Sequence, residues 1–293
     1  MKNELPEAKV LGKQVNYPNH YQPDILVAVP RALNREMYGL KNEQLPFVGT
    51  DTWHAYELSL LTNKGLPVTG VLKIIYPANS PFLVESKSLK LYLNAFNMER
   101  YGNNRDEGVK MVLDIIKSDL DNLLKCDTQL SFFNHSTSLQ THDFSGYPLL
   151  EDSQSAEQIT FDTFTENPDL LLSSGQGGSL KTATHLLRSN CKITHQPDWG
   201  SVFIYLKGAA LPEDNSLLKY LVSIRSENHF HEEICEMIYQ RLWQRFNPDE
   251  LMVTCIYTRR GGIDICPARA SHWSLLPKNL SDPHVLTSKL LRQ

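Results

Sequence analysis

The chain has 293 residues, room for two domains at roughly 150 residues each. Apolar residues make up 41% and charged residues 21%, ordinary globular usage that excludes collagen-like, coiled-coil and wholly disordered chains. With 29 basic against 33 acidic residues and a net charge of -4, no cationic excess is available to track a nucleic-acid backbone or an anionic membrane, so neither is an expected partner.

Met1 to Val10 is polar and mixed in charge, without the basic-then-apolar layout of a signal peptide. The longest apolar stretches, such as Ile25 to Pro30, fall far short of the ~20 residues of a membrane helix. A cytoplasmic protein is expected. Short runs bounded by turn residues predict strands at Trp53 to Leu61, Val71 to Tyr76, Leu89 to Phe96 and Gln129 to Phe133. Before the last of these, Val109, Val112, Leu113, Ile116, Leu120, Leu123 and Leu124 recur at the three-four spacing of one helical face. Ser136 to Thr182 is rich in Ser, Thr, Gln, Asp and Gly and reads as a flexible linker. Its Gly175-x-Gly177 is followed by Leu180 where a dinucleotide fingerprint needs Gly, and no phosphate-loop motif is present.

Further strands are predicted at Val202 to Leu206, Leu217 to Ile224 and Met252 to Tyr257. Between the last two, Ile234, Cys235, Ile238, Leu242 and Phe246 mark a second amphipathic helix, opened by Glu232 and Glu233, where the helix dipole favours negative charge. Paired strands before each helix and a strand after it fit an α+β fold, an antiparallel sheet with helices on one face. The series occurs twice, Ser88 of the first aligning with Ser216 of the second, and implies a degenerate tandem duplication.

Five cysteines, Cys126, Cys191, Cys235, Cys255 and Cys266, include no C-x-x-C pair, and the chain has no H-E-x-x-H. Neither a disulfide framework nor a structural zinc site is expected. Four of them lie in or beside apolar runs and read as core. Cys191 differs, standing in Ser189-Asn-Cys-Lys-Ile-Thr-His-Gln-Pro-Asp-Trp-Gly200 among polar neighbours, with Lys192 and His195 nearby to favour a nucleophilic thiolate. Asp198, between a proline and Trp199, is set where an apolar wall raises a carboxyl towards a proton donor.

Three more segments carry candidate chemistry. In Glu85-Ser-Lys-Ser-Leu-Lys90, Lys87 and Lys90 suit a phosphate and Glu85 suits a purine-like N–H edge; a solvated strand edge is the competing reading. In His229-Phe-His-Glu-Glu233, a carboxylate is placed to receive two parallel donors with His231 beside it, or merely to serve the helix dipole. In Arg259-Arg-Gly-Gly262, directly after a strand, paired arginines and glycines suit phosphate contact and close backbone approach.

Together these four segments resemble the NADPH-dependent 7-cyano-7-deazaguanine reductases, the nitrile reductases of queuosine biosynthesis, in their long two-module form. The resemblance runs from about residue 20 to the C-terminus. It implies tandem tunnelling-fold (T-fold) modules that assemble into a barrel, one in residues 1–140 and one in 181–293, joined by a linker at 141–180. The implied substrate is a small deazaguanine, whose nitrile is reduced to an aminomethyl group at the expense of two NADPH. Cys191 is implied as the nucleophile forming a covalent thioimide, Asp198 as general acid and His231 as proton shuttle. Val84, Glu85, Ser86, His231 and Glu232 match the positions that hold the ring, and Ser86, Lys87, Arg260 and Gly261 those that contact NADPH; no metal is implied.

The second half has Asp214-Asn-Ser216 in place of the Glu85 motif, and the first has no cysteine before Val71. Each half thus lacks what the other carries, and one composite site per chain is expected. A homodimer follows from the symmetric edges of such folds. A T-fold pterin or purine-ring hydrolase is the rival enzyme, and a non-catalytic purine-binding module the rival outside catalysis.

Overall fold

A computed structural model describes residues 18 and 20–293; Met1 to Val10, where a signal peptide was not expected, lies outside the described residues. In chain order the elements are β1 (Ala28–Pro30), α1 (Ala32–Arg35), β2 (Val48–Leu61), β3 (Pro67–Pro77), β4 (Phe82–Val84), α2 (Ser86–Asn94), α3 (Arg105–Leu124) and β5 (Gln129–Phe133). After a long connection come β6 (Gly178–Cys191), β7 (Pro197–Gly208), α4 (Asp214–Ser223), β8 (Asn228–His229), α5 (His231–Phe246), β9 (Glu250–Tyr257), β10 (Ile263–Ala270) and α6 (Lys278–Ser281). Among the described residues the main sheet has the order β5-β3-β2-β10-β9-β7-β6-β8. Its pairings are antiparallel apart from the short β6–β8 contact. The mixed α+β class expected from the sequence is what the chain adopts.

Two expected strands are helices. Leu89 to Phe96 lies largely in α2 and Leu217 to Ile224 in α4. Leu89, Leu91, Leu93 alternate as a strand does, but Leu89, Tyr92, Leu93 and Phe96 also fall on one helical face, and all four are buried. A helix start decides the matter: the Glu85 carboxylate accepts from the N–H groups of Lys87 and Ser88 and caps α2.

Helices α2 to α5 cover one face of the sheet, in two adjoining cores. One joins α4 and α5 to β7 and β9 through Leu217, Leu221, Ile234, Ile238, Ile204 and Val253. The other joins α2 and α3 to β2, β3 and β10 through Leu89, Ile116, Leu120, Trp53, Ile74 and Ile265. On the opposite face Phe144, Leu276 and Leu280 pack against Phe203, Met252 and Ile256. Lys73 fixes the C-terminal segment there by donating to the carbonyls of Asn279, Asp282 and Val285 at 2.7 to 2.8 Å.

The connection expected to be a flexible linker is packed instead. Phe144, Leu150 and Leu171 are buried, and Glu166 pairs with Arg241 of α5 at 2.9 Å. Its polar composition conceals a sparse set of apolar anchors, and its last residues, from Gly178, already belong to β6.

Candidate active site

A cavity of about 400 Å³ opens where the two cores meet, between the N-terminal ends of α2 and α5, the β6–β7 turn and the β9–β10 turn. Its floor is apolar, with Trp53, Tyr257, Ile263 and Ile265. Val84, Ser86, Lys87 and Lys90 line it from the first half of the chain, and Cys191, Asp198, His231, Glu232, Arg260 and Gly261 from the second. Of the residues singled out in the sequence, Glu85 is not in this wall. Its fully buried carboxylate is turned onto its own helix, accepting from Ser88 N at 2.7 Å and Lys87 N at 3.2 Å; burial pushes this carboxyl up and those backbone donors oppose the shift.

Cys191 ends β6 at the hairpin into β7. Cys191 N donates to Gln196 O at 2.8 Å and His195 N to Cys191 O at 2.9 Å, with His195 in the left-handed region at φ 55° to close the turn. The thiol is half-buried in the cavity wall. Cys235, Cys255 and Cys266 are fully buried, and burial drives Cys255 and Cys266 far above the usual thiol range; Cys126 is half-buried and pushed up to about 11, chiefly by burial. The cations expected beside Cys191 point elsewhere: Lys192 lies 3.6 Å from Glu233 and also donates to Asn34, while His195 bonds Asn228 at 2.7 Å. Neither lines the cavity.

The reading of Asp198 against an apolar wall is corrected. Successive side chains on β7 face opposite ways, and Trp199 turns to the other side, where Arg188, Arg225 and Arg292 stack on its ring. Asp198, 2% exposed, has His231 Nε2 3.6 Å from Oδ1 and accepts from Arg260 at the same oxygen. Burial pushes this carboxyl up, but His231 and Arg260 outweigh it and hold it below the usual range. Asp198 rests as a carboxylate, able to take a proton before it gives one.

Arg260 reaches Asp198 because of a tight turn. Arg260 N bonds Ile263 O at 2.9 Å and Ile263 N returns to Arg260 O at 3.1 Å, with Gly261 and Gly262 both left-handed at φ 57° and 79°. Two positive φ angles at the centre of a two-residue hairpin suit the Gly-Gly pair. The same guanidinium bonds Gln196 Oε1 at 2.5 Å, which ties the β9–β10 turn to the Cys191 turn.

At the start of α5 the two glutamates divide their work. Glu233 accepts from Phe230 N at 3.3 Å and pairs with His229 at 2.9 Å, serving the helix. Glu232 turns into the cavity, 3.5 Å from Tyr76 Oη, and His231 stacks edge-on against Tyr257 at 4.1 Å. Burial, then Asp51, push Glu232 up to about 7, against the pull of His231 and Arg31.

A second cluster, His54, Asp264 and Cys266, brings three metal-ligand types within 4.8 Å. There the position for a cation is taken by Lys289, 3.3 Å from His54 Nδ1 and 3.2 Å from Asp264 Oδ2. This group lies on the opposite face of the sheet from the cavity, with the C-terminal segment over it.

With this geometry in place, the chain can be set beside known proteins. The family described as nitrile reductase, 7-cyano-7-deazaguanine-reductase N-term, matches residues 17–132, and that described as QueF-like protein matches residues 197–274. The NADPH-dependent 7-cyano-7-deazaguanine reductase of Colwellia psychrerythraea is 40% identical over 274 residues, 91% of this chain and 93% of that one. The chain belongs to this nitrile reductase family. The reductase of the same name from Coxiella burnetii is 38% identical over 269 residues, 92% of this chain and 93% of its own. A crystal structure of an apo archaeosine synthase matches 32% of this chain and 92% of its own at 22% identity and a TM-score of 0.29, too slight a likeness to bear on the fold.

Trp53, Tyr257 and the group behind Glu232, Arg31 and Asp51, escaped the sequence reading. Asp51 carried a signal, a carboxylate between threonines in a strand; the others are common core or surface types whose neighbours only the fold supplies.

Proposed function

We propose that the chain reduces the nitrile of 7-cyano-7-deazaguanine to the aminomethyl group, drawing on two NADPH per turnover, in queuosine biosynthesis in the cytoplasm. One observation carries this reading: a thiol of β6, a buried carboxylate of β7 held ionised, and a histidine and a second buried carboxylate of α5 converge on one cavity with an apolar floor. Five free thiols suit a reducing compartment. Among the described residues no helix is long and apolar enough to cross a membrane.

The ring lies on the floor of Trp53 and Ile265, with its N–H edge to Glu232 and with Val84, Ser86 and His231 around it; Glu85 acts with them through the helix start it caps. Asp198 accepts the Cys191 proton, the thiolate adds to the nitrile carbon, and Asp198 returns the proton to nitrogen, so the thioimide forms with no net proton change. The cavity's rim suits an anionic dinucleotide, since Lys87, Lys90 and Arg260 offer only donors there and Gly261 lets backbone come close. Ser86, Lys87, Arg260 and Gly261 would hold NADPH, which supplies hydride to the substrate carbon. Cys191 departs as the carbon–sulfur bond breaks after the first reduction, and His231, 3.6 Å from Asp198, passes protons to nitrogen. The closed apolar floor keeps water from the imine.

The finer architecture is proposed with it. Residues 1–140 and 181–293 are read as two T-fold modules joined by 141–180, because β2-β3-α2-α3-β5 recurs as β6-β7-α4-α5-β9, the short β4 and β8 apart, and both leading strands carry a bulge, at Ala55/Leu58 and Thr184/Leu187. Among the described residues the sheet ends at β5 and β8, and a second copy extending those edges closes a barrel as a homodimer.

Mixing the protein with 7-cyano-7-deazaguanine in the absence of NADPH tests the chemistry by intact mass. Wild type should gain the mass of one nitrile per chain, and Cys191→Ala none. Wild type that forms no adduct and oxidises no NADPH would sink the proposal.

A further inference from the structure

Next to Glu232, five charged side chains are buried together. Asp51 on β2 receives Arg31 and, at 2.8 Å, Arg269 of β10. Glu236, one turn beyond Glu232 on α5, receives both ends of Arg35 at 2.8 and 2.6 Å. Arg269 reaches the same carboxylate at 3.0 and 2.8 Å, with Arg31 Nη1 3.6 Å away. None of the five is more than 4% exposed. Taking such charges out of water is expensive, and packed apolar side chains often do as well for stability, so the cluster calls for another reason.

Charge supplies one. Three guanidiniums face two carboxylates, which leaves one positive charge in excess. The carboxylate adjoining it towards the site is Glu232: a cavity of about 10 Å³ is bounded by Arg31, Asn34, Leu83, Glu232, Glu233 and Glu236. Glu233 has partners of its own, His229 at 2.9 Å and Lys192 at 3.6 Å. Facing Glu232 from the packed elements are Asp51 of β2, Tyr76 of β3, Arg31 and Asn34 from the α1 region, and His231, Glu233 and Glu236 of α5, with Arg269 of β10 behind them on Glu236.

We infer that Arg31 is a positioning residue for the nitrile substrate, its cluster supplying the counter-charge that keeps Glu232 a carboxylate able to receive the ring's N–H donors. The inference rests on the reading of Glu232 as the ring anchor. Asp51 opposes and Arg31 supports that ionisation, so the two residues have opposite signs of effect.

Non-covalent affinity for 7-cyano-7-deazaguanine, measured from pH 5.5 to 9 in the full chain carrying Cys191→Ala, tests it. Affinity should be constant well above pH 7 and weaken below it. Adding Arg31→Met should move the inflexion up by about one pH unit, weakening binding about fivefold at pH 7 and about tenfold well below it, with recovery at pH 9, while Arg31→Lys keeps the original profile. Asp51→Asn should move the inflexion down, and decides the matter should Arg31→Met not fold. Glu232→Gln must abolish the pH dependence; if it does not, the anchor reading falls. If it does, but Arg31→Met weakens binding by one factor at every pH or Asp51→Asn leaves the inflexion in place, the inference alone is overturned.

Discussion

Asp198 and Glu232 are both buried carboxyls lining one cavity, yet their surroundings push them apart, Asp198 down under His231 and Arg260 and Glu232 up to about 7 under burial and Asp51. Separation of this kind sets which group titrates near neutrality. At saturating nitrile, the rate of thioimide formation should therefore show no acid limb from pH 7 down to 5, because Asp198 stays ionised there. At low nitrile the same rate should fall below pH 7 as Glu232 takes up its proton. Stopped-flow absorbance of the adduct at the two concentrations checks this, and an acid limb near 7 that persists at saturation would place the titrating group in the chemical step. Asp198→Asn removes the proton acceptor and should slow adduct formation at least ~100-fold while leaving nitrile affinity at pH 8 unchanged. The identity of these residues was legible in the sequence as motifs. Their protonation was not, since Trp199, adjacent in sequence to Asp198, faces the other way, and Arg260 arrives from a distant turn.

Among elements, the helices α3 and α5 and the strands β2, β3, β5, β7 and β9 were readable because one hydrophobic period dominates each of them. Helices α2 and α4 were not: in α2 Leu89-x-Leu91-x-Leu93 satisfies two periods at once, and α4, with Leu217, Leu218, Leu221 and Ile224 on one helical face, is a short apolar run of the kind a buried strand also shows. In α2 the signal that decides is the capping group. Glu85 accepts two backbone N–H bonds, from Lys87 and Ser88, at the start of α2, and the turn they fix carries Ser86 and Lys87, which are proposed to meet NADPH. Glu85→Ala should cost about 1 kcal/mol of stability, as helix-cap losses do. It should raise the KM for NADPH more than kcat falls, because the first turn of α2 frays at the cofactor's rim. Glu85→Asp, which keeps a capping carboxylate, should restore much of both. Chemical denaturation and steady-state kinetics on the two variants measure the effects, and equal losses in both would remove the cap as their cause.

At the scale of the molecule, the two halves are joined by β2 pairing with β10 over eight residues, from Ile263↔Ala55 to Ala270↔Val48, and by the buried charge cluster. Arg35 of the first half and Arg269 of the second meet on Glu236. Neither half carries a complete set of partners, which argues for one cooperative unfolding transition rather than two. Glu236 gives this junction a pH signature. Burial pushes its carboxyl up, but Arg269, Arg35 and Arg31 prevail and bring it from 4.5 down to about 2. A carboxyl lowered on folding stabilises fully above its unfolded value, and that stability is lost as pH falls from about 4.5 through about 2. The amount at stake is about 3 kcal/mol, since a tenfold change in proton affinity between the folded and unfolded chain is worth about 1.4 kcal/mol. Glu236→Gln should therefore lose about 3 to 5 kcal/mol at pH 7, because three buried guanidiniums keep their charge and lose their shared acceptor. It should also unfold with a shallower dependence on pH between 4.5 and 2 than wild type. Denaturant titrations followed by tryptophan fluorescence and by circular dichroism at pH 7, 4 and 3 read both quantities. Coincident midpoints for the two probes mark a single transition; separated midpoints, with the pH slope confined to one of them, would show that the halves unfold independently and that the cluster does not bind them together.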